Sequence, residues 1–529
     1  MPDQTRNKLI TEKKQILMKI KIFLGFNLIV ILYFVCFDSY FVQNNLFKVS
    51  DTNELQNQTT KPIQIENPVN ARVNYHWILN KHLLQYSAYL IKKSKNEFRM
   101  EVFLFEFENW EQLLYCFIFS FQNQTISNTT AQRIISINLH LRKVICEFKN
   151  LTLQTKLYGV IFPNENVDGD TLYHELVVID STKPKIKSVG HCVHALYWLK
   201  TIESNITKQL EYWLQIQKKI GISEIRLYIY RENGTVLDYL KKKYKNYAIF
   251  VDFVDFDKFC GSYSNGTKFE KCMNAYKKIL LHGGYMERVN TNDCYLNFKY
   301  KYEMVTNYDF DELIFPRSHN LYENRSLDCK LQSYCQYSDR AYNIYEYAVK
   351  MFNLMDNKTT ACLMFINVAF LKIDSYLDNF MNGLVNVTAP TNVYYTDEVG
   401  KGIKIAIQSL EQAEKLRQYA VLYENLRCLS RQKKIDLLVF DRLFAFSAST
   451  SLGKSIVNTD FVETINQHSS DVMVDGTDKK ELPIGLGYSS HLREYYKGYY
   501  LNRFRFVDDI FIDIEYYLFL LRTFEITKC

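Results

Sequence analysis

From about residue 186 the chain alternates between strand-like runs and amphipathic stretches, and that alternation leaves few folds open to it. SVGHCVHALYW, beginning at Ser188, reads as a short strand running into a loop. Ile206, Leu210, Trp213 and Leu214 recur at helical spacing, and Gly221 is placed to stop that helix. EIRLYIY (224–230) reads as a strand, VLDYLKKKY (236–244) as a short helix and YAIFVDFVDF (247–256) as another strand. This order of strands and helices implies a parallel sheet with crossover helices. Such sheets take nucleotides beyond the carboxyl ends of their strands. The stretch GGYMERVNTNDCYLNFKYKYEMVTNYDFDE then reads as a helix, a strand and an acidic loop.

That loop carries the chemistry. In EMVTNYDFDELIFPR (Glu303 to Arg317) an apolar run leads into Asp309, Phe310, Asp311 and Glu312, then leaves through Leu313-Ile314-Phe315 and stops at Pro316. Alternate residues of an extended chain point the same way, so Asp309 and Asp311 can face one site. A hard divalent cation takes carboxylate oxygens and holds a diphosphate with its remaining positions. This is the pattern of the DxD site in nucleotide-sugar glycosyltransferases of the GT-A type; alone, two acids in a loop make an ordinary solvated turn. The expected fold is α/β: a GT-A-type nucleotide-sugar-binding catalytic domain, preceded by a smaller β-rich domain and an N-terminal transmembrane anchor.

Residues 1–21 are polar and basic, and 22–37 (IFLGFNLIVILYFVCF) carry no charge. The apolar run is a little shorter than the about 20 residues that span hydrocarbon, but Lys19 and Lys21 can snorkel to the interface. Basic residues before it and Asp38 after it place the N-terminus in the cytosol and the rest in the lumen. No small-x-small cleavage site follows Phe37, which favours an uncleaved signal-anchor over a signal peptide. Residues 38–72 read as a stem. Ten N-x-S/T sequons, from Asn57 to Asn386, all lie beyond the anchor, as a lumenal body requires. Residues 73–183 alternate like the strands of an antiparallel β unit, as in MEVFLFEFE (100–108) and KVICEF (143–148), with no catalytic constellation. The catalytic domain is expected over 186–500 and a packed helix over 501–529. The net charge of +7 is modest and dispersed, which argues against a nucleic-acid partner. Of the twelve cysteines none forms CxxC; Cys116/Cys146, Cys260/Cys272 and Cys329/Cys335 are disulfide candidates in an oxidising lumen.

Several ordered blocks between about 188 and 500 resemble glycosyltransferase family 92, once known only as a domain of unknown function. They are CVHALYW with the GISEIRLYIY strand, and NDCYLNFKYKYEMVTNYDFDELIFPR, which looks like the family's DC…DxDExxxP signature. TACLMFINVAF (360–370), KSIVNTDFVETINQHSS (454–470) and HLREYYKG (491–498) follow in order. Residues 371–450 match nothing alignable, and Leu492 stands where the family commonly has an aromatic. The resemblance implies a type II secretory-pathway enzyme of the Golgi or ER that moves galactose from UDP-galactose to a glycan acceptor, on glycoprotein or glycolipid, with inversion and with manganese or another divalent cation. A catalytically inactive sugar-binding protein on the same fold is the competing reading.

Carried onto these residues, the resemblance makes Asp311 the direct metal contact. Asp309 then meets the metal, a metal-bound water or the ribose, while Glu312 braces the loop or approaches the sugar. His468 and His491 are candidates for a further metal ligand or a diphosphate contact, since imidazole suits both. Arg493 is a natural diphosphate clamp. Lys454 is either a second clamp or an ordinary solvated lysine, and Asp252 either touches uracil or ribose or caps its loop. Inversion needs a general base; Asp374, Asp378, Asp397 and Glu398 lie in the variable region where an acceptor would sit, and none is singled out.

Overall fold

The computed structural model describes, with gaps, residues 77–316, 343–372, 391–407, 442–447 and 453–491. The tail, the apolar segment 22–37, the stem and residues 501–529 lie outside the described residues. Among the described residues no helix is long and apolar enough to cross a membrane.

The described chain opens with strands β1 (Trp77–Asn80), β2 (Leu83–Lys92), β3 (Glu97–Glu106), β4 (Tyr115–Ser120), β5 (Thr125–Thr130) and β6 (Arg133–Ser136). It continues through β7 (Leu141–Lys149), β8 (Leu157–Phe162), β9 (His174–Glu175) and β10 (Val177–Asp180). They form two sheets, ordered β1-β2-β3-β7-β6 and β5-β4-β8-β9, with β10 added to β2. Alternate residues such as Leu90, Met100, Val102, Ile118, Val144 and Ile161 share one buried core between them. The pairing is antiparallel except at β10, which runs parallel to β2. The purely antiparallel expectation fails at that edge because β10 follows a long excursion through the other sheet, long enough to return in the same direction. Cys116–Cys146 joins β4 to β7, tying the two sheets together as their candidate pairing anticipated.

The next stretch supplies β11 (Ile186–Leu196), α1 (Ser204–Lys219), β12 (Ile222–Ile229), α2 (Thr235–Lys243) and β13 (Ala248–Asp252). After these come α3 (Gly284–Lys299), β14 (Tyr302–Asn307) and β15 (Glu312–Pro316). Gly221 ends α1 at φ +92°, a conformation that a side chain would strain. Beyond α4 (Ile344–Leu354) lie β16 (Thr360–Phe365), β17 (Asn367–Lys372), β18 (Thr391–Thr396), β19 (Gly402–Ile407) and β20 (Arg442–Ser447). The described chain ends with β21 (Lys454–Asn458), β22 (Val462–Ile465), β23 (Ser470–Met473), β24 (Asp478–Leu482) and β25 (Gly487–His491).

One seven-stranded sheet runs β13-β12-β11-β14-β21-β16-β24. Its β13-β12-β11-β14 portion is parallel, as the strand–helix alternation predicts. β21 then enters antiparallel to both neighbours, so the sheet is mixed. The block 360–370 divides at Ile366: β16 stays in this sheet while β17 joins a smaller one ordered β15-β25-β17-β20. The unaligned region 371–450 contributes the β18–β19 hairpin and β20.

Helix α3 lies against the large sheet and also meets the β-rich unit. Its apolar residues Tyr295 and Phe298 pack in the sheet core. Its polar residues Asn292 and Asp293 are equally buried. Asp293 accepts hydrogen bonds from the hydroxyls of Tyr89 (β2) and Tyr228 (β12) and pairs with Arg226 at 3.5 Å. At the same boundary Lys143 of β7 lies 3.2 Å from Glu101 and 3.4 Å from Glu463, and Lys299 lies 2.8 Å from Glu463. Burial opposes ionisation of Glu463, yet the Lys299 and Lys143 ammoniums hold its carboxyl down at about 2. Gly190 of β11 lets the helix approach, since a Cβ there would lie 2.8 Å from the rings of Phe298 and Tyr302.

Cys192–Cys294 fastens β11 to α3 across a sequence separation of 102 residues. It was not among the candidate pairs; Cys260/Cys272 and Cys329/Cys335 lie outside the described residues. A closure of that length is worth about 5 kcal/mol in the chain-entropy account, and native disulfides commonly deliver less. Cys192→Ala/Cys294→Ala should therefore lower the unfolding free energy by roughly 2–4 kcal/mol, read from the denaturant midpoint of the full chain.

Candidate active site

The acidic loop leaves the carboxyl end of β14, at the place where strand order reverses. β12 and β13 build outward from β11 on one side, and β14 and β21 on the other. Open α/β sheets present their ligand crevice at such a point. The antiparallel register puts Asn307, the last residue of β14, opposite Ser455. The amino end of β21, and with it Lys454, therefore borders the loop.

The loop is held from beneath by aromatic side chains. His191 Nε2 lies 3.0 Å from the Tyr308 carbonyl. A carbonyl only accepts, so Nε2 carries the proton. Trp213 Nε1 donates to the Glu312 carbonyl at 2.8 Å, and the Tyr308 hydroxyl donates to Gln217. The three rings meet edge to face, with the His191 centroid 3.8 Å from Tyr308 and 5.1 Å from Trp213. Burial pushes the His191 pKa down to about 3, against the opposing pull of the Tyr308 carbonyl and Asp309, so the ring is neutral at physiological pH.

Inside the loop the two acids brace each other's backbone. Glu312 N–H donates to the Asp309 carbonyl at 3.0 Å, and Asp309 N–H donates to Glu312 Oε2 at 3.0 Å. The same Oε2 lies 2.9 Å from Lys454 Nζ, which also donates to the Gln467 carbonyl at 3.3 Å. Lys454 Nζ is 3.6 Å from Asp309 Oδ2, and the Asp309 side chain is 34% exposed whereas that of Lys454 is 2% exposed. The Glu312 carboxylate thus turns inward and the Asp309 carboxylate outward. Lys454 is no solvated surface lysine: a partner distant in sequence draws it into the interior.

His468 joins from the turn between β22 and β23. Asn466 Oδ1 accepts from the N–H groups of His468 and Ser469, both at 2.8 Å, and Asn307 donates to the Asn466 carbonyl. His468 Nδ1 lies 3.2 Å from the Gly453 carbonyl, so Nδ1 carries a proton. A backbone acceptor on one imidazole nitrogen is what orients the other toward a metal. A carboxylate and an imidazole are kinds of donor that first-row divalent ions take. Among the described residues no three His, Cys, Asp or Glu side chains gather into a complete ligand set.

The remaining candidates are placed by backbone or not at all. His491 ends β25 directly opposite Glu312 in antiparallel register. Asp252 ends β13, at the far edge of the sheet but at the same end as the loop. The side chains of His491 and Asp252, and all of Asp311, Arg493, Asp374, Asp378, Asp397 and Glu398, lie outside the described residues. His191 and Gln217 escaped the sequence reading, and Trp213 entered it only as one apolar position of a helix. Their signal was a polar group in each of three otherwise apolar stripes, which needs a buried partner.

Trp213→Phe keeps a ring in the pocket but leaves the Glu312 carbonyl without its donor, so the unfolding free energy should fall by about 1–3 kcal/mol in a denaturant titration. His191 sets a pH dependence. Its pKa falls from an ordinary 6.5 to about 3 on folding, so between these values the unfolded chain holds the extra proton. The stability it contributes is present above pH 6.5 and is lost as pH falls toward 3, at about 1.4 kcal/mol per unit. His191→Gln should flatten the slope of unfolding free energy between pH 6 and pH 4 by roughly that amount.

A family model described as glycosyltransferase family 92 matches residues 187–515, which is more than half of the chain. No curated protein matches it. Among solved structures, an apo β-glucuronidase from Ruminococcus gnavus is 11% identical over 40% of this chain and 35% of that chain, with a TM-score of 0.13. A point mutant of ferredoxin–NADP+ reductase from Plasmodium falciparum with 2′P-AMP is 12% identical over 43% of this chain and 86% of that chain, with a TM-score of 0.12. Superpositions that poor carry no argument. The family match covers the strand–helix array, the acidic loop, Lys454, His468 and His491 together, and the chain belongs to glycosyltransferase family 92.

Proposed function

We propose that this glycosyltransferase moves a hexose, galactose from UDP-galactose, onto a glycan acceptor with inversion at the sugar carbon, using a divalent cation such as manganese. The reading takes the large sheet as a GT-A-type donor domain and the Asp309–Glu312 loop as its DxD site. The single observation that carries it is the position of that loop, pinned at the strand-order reversal with the Asp309 carboxylate turned outward.

Asp311 and Asp309, with His468 and His491, are the residues that would hold the cation. When bound, the cation neutralises the charge that develops on the departing diphosphate. Lys454 and Arg493 would add cationic hydrogen bonds to the diphosphate oxygens. Glu312 keeps the loop in shape through the Asp309 N–H and Lys454. The acceptor hydroxyl needs a base in the variable region holding Asp374, Asp378, Asp397 and Glu398. In this reading the apolar segment 22–37 anchors the chain in the Golgi or ER membrane with the catalytic body in the lumen, away from nucleic acid.

The test is a UDP-sugar panel on the full chain in detergent, with manganese and with chelator, beside Asp311→Ala. Manganese-dependent UDP release with UDP-galactose, falling at least a hundredfold in the variant, is the expected result. Preference for another UDP-sugar would overturn galactose alone. No turnover and no metal-dependent UDP binding by folded protein would favour the inactive sugar-binding alternative.

A further inference from the structure

The geometry points to Lys454 as a resident counter-ion of the acidic loop, one that holds the metal-binding carboxylate until a divalent cation arrives and then moves to the donor diphosphate. This rests on the metal-dependent reading above and assigns Lys454 a second position.

Three contacts carry it. Lys454 Nζ makes a close ion pair with Glu312 Oε2 at 2.9 Å and a backbone hydrogen bond to Gln467 at 3.3 Å. Its approach to Asp309 Oδ2, at 3.6 Å, is beyond hydrogen-bonding distance. The ammonium is therefore firmly tied to the inward carboxylate and loosely to the outward one. An incoming cation that takes Asp309 brings like charge close to an ammonium that is 2% exposed, where water screens poorly. Glu312 cannot release its part without cost, because the same oxygen accepts the Asp309 N–H that shapes the loop. The mobile partner is the lysine. Its four-carbon stem projects from the first residue of β21, and an ammonium is a compact charge with freely rotating donors. The donor diphosphate is the anion that would enter beside it. The exchange keeps the ammonium opposite an anion at each stage: the carboxylates without ligand, and the diphosphate when donor is bound and the cation has taken its place beside the carboxylates.

The test measures manganese binding, by the electron paramagnetic resonance signal of the free ion, and UDP binding by calorimetry, on the full chain and on Lys454→Met. The variant should bind manganese about tenfold more tightly in the absence of nucleotide, because the competing charge is gone. It should bind UDP about tenfold more weakly at saturating manganese, because the diphosphate has lost an ammonium. Should the lone Lys454→Met variant fail to fold, with Glu312 left buried and unpaired, Lys454→Met/Glu312→Gln removes both charges and keeps an acceptor for the Asp309 N–H. The same two shifts are expected of it. Manganese bound by the wild-type chain but no more tightly by either variant would overturn the exchange and leave the metal-dependent reading standing. No manganese uptake by the wild-type chain would overturn both.

Discussion

The ion pair between Glu312 and Lys454 is the interaction on which the site depends. Burying two charges is expensive, and the pair persists only where further hydrogen bonds satisfy the remaining lone pairs and protons. Here they do: Glu312 Oε2 also accepts the Asp309 N–H, and Lys454 also donates to Gln467. Glu312 has backbone duties as well, since its carbonyl takes the Trp213 indole and its place in β15 faces His491. One residue thereby joins the acidic turn, the start of β21, helix α1 and the end of β25. Removing either charge with nothing in its place would leave the other desolvated.

The pair stands on a scaffold that is rigid for reasons outside the site. Strand β11 supplies His191 beneath the loop, and Cys192, the next residue, is bonded to Cys294 of α3. The same helix uses Asn292 to cap β22, accepting from the Ile465 N–H at 3.0 Å and donating to the Ile465 carbonyl at 2.7 Å. The next residue is Asn466, whose side chain holds the His468 turn. On the other side of β22, Glu463 takes Lys299 and Lys143, the latter from the β-rich unit. The β-rich unit is thus keyed by buried charge to the strand that leads to His468. Interfaces with uncompensated charge on separation resist opening, so this boundary is not a free hinge.

How much of this was legible followed the range of the interactions. The β11-α1-β12-α2-β13 order could be read because strand and helix periodicities are local, as could the acidic loop after β14. The Cys116–Cys146 bridge was readable as a candidate because both cysteines lie in strands of one unit. Lys454 was not, because only Glu312, far along the chain, decides that it is buried. The run 360–370 looked continuous because both of its halves are strands; their separation into two sheets is a tertiary choice made at Ile366. Helix α3 hid its role for a related reason. Its Asn and Asp residues resemble a solvated face, and they are buried only because the β-rich sheet supplies Tyr89 and β22 supplies its backbone.

Asp309 and Glu312 divide the structural labour of the loop. In the proposed metal-dependent transfer, a carboxylate shared between a cation and a lysine would be pulled from two directions, and a loop shaped only by solvated acids would have to be ordered at the moment of binding. Glu312 removes that second demand. With one longer methylene arm than aspartate, it reaches back over the turn to the Asp309 N–H while its own N–H meets the Asp309 carbonyl, a reciprocal arrangement like the capping box at a helix start. Its charge is cancelled in place by Lys454, so Asp309 remains the outward carboxylate of this pair. In the proposed reaction, preorganisation of this kind would let electrostatic stabilisation act without reorientation in the transition state. The inward acid sets the geometry of the turn, and the outward acid keeps the more exposed carboxylate.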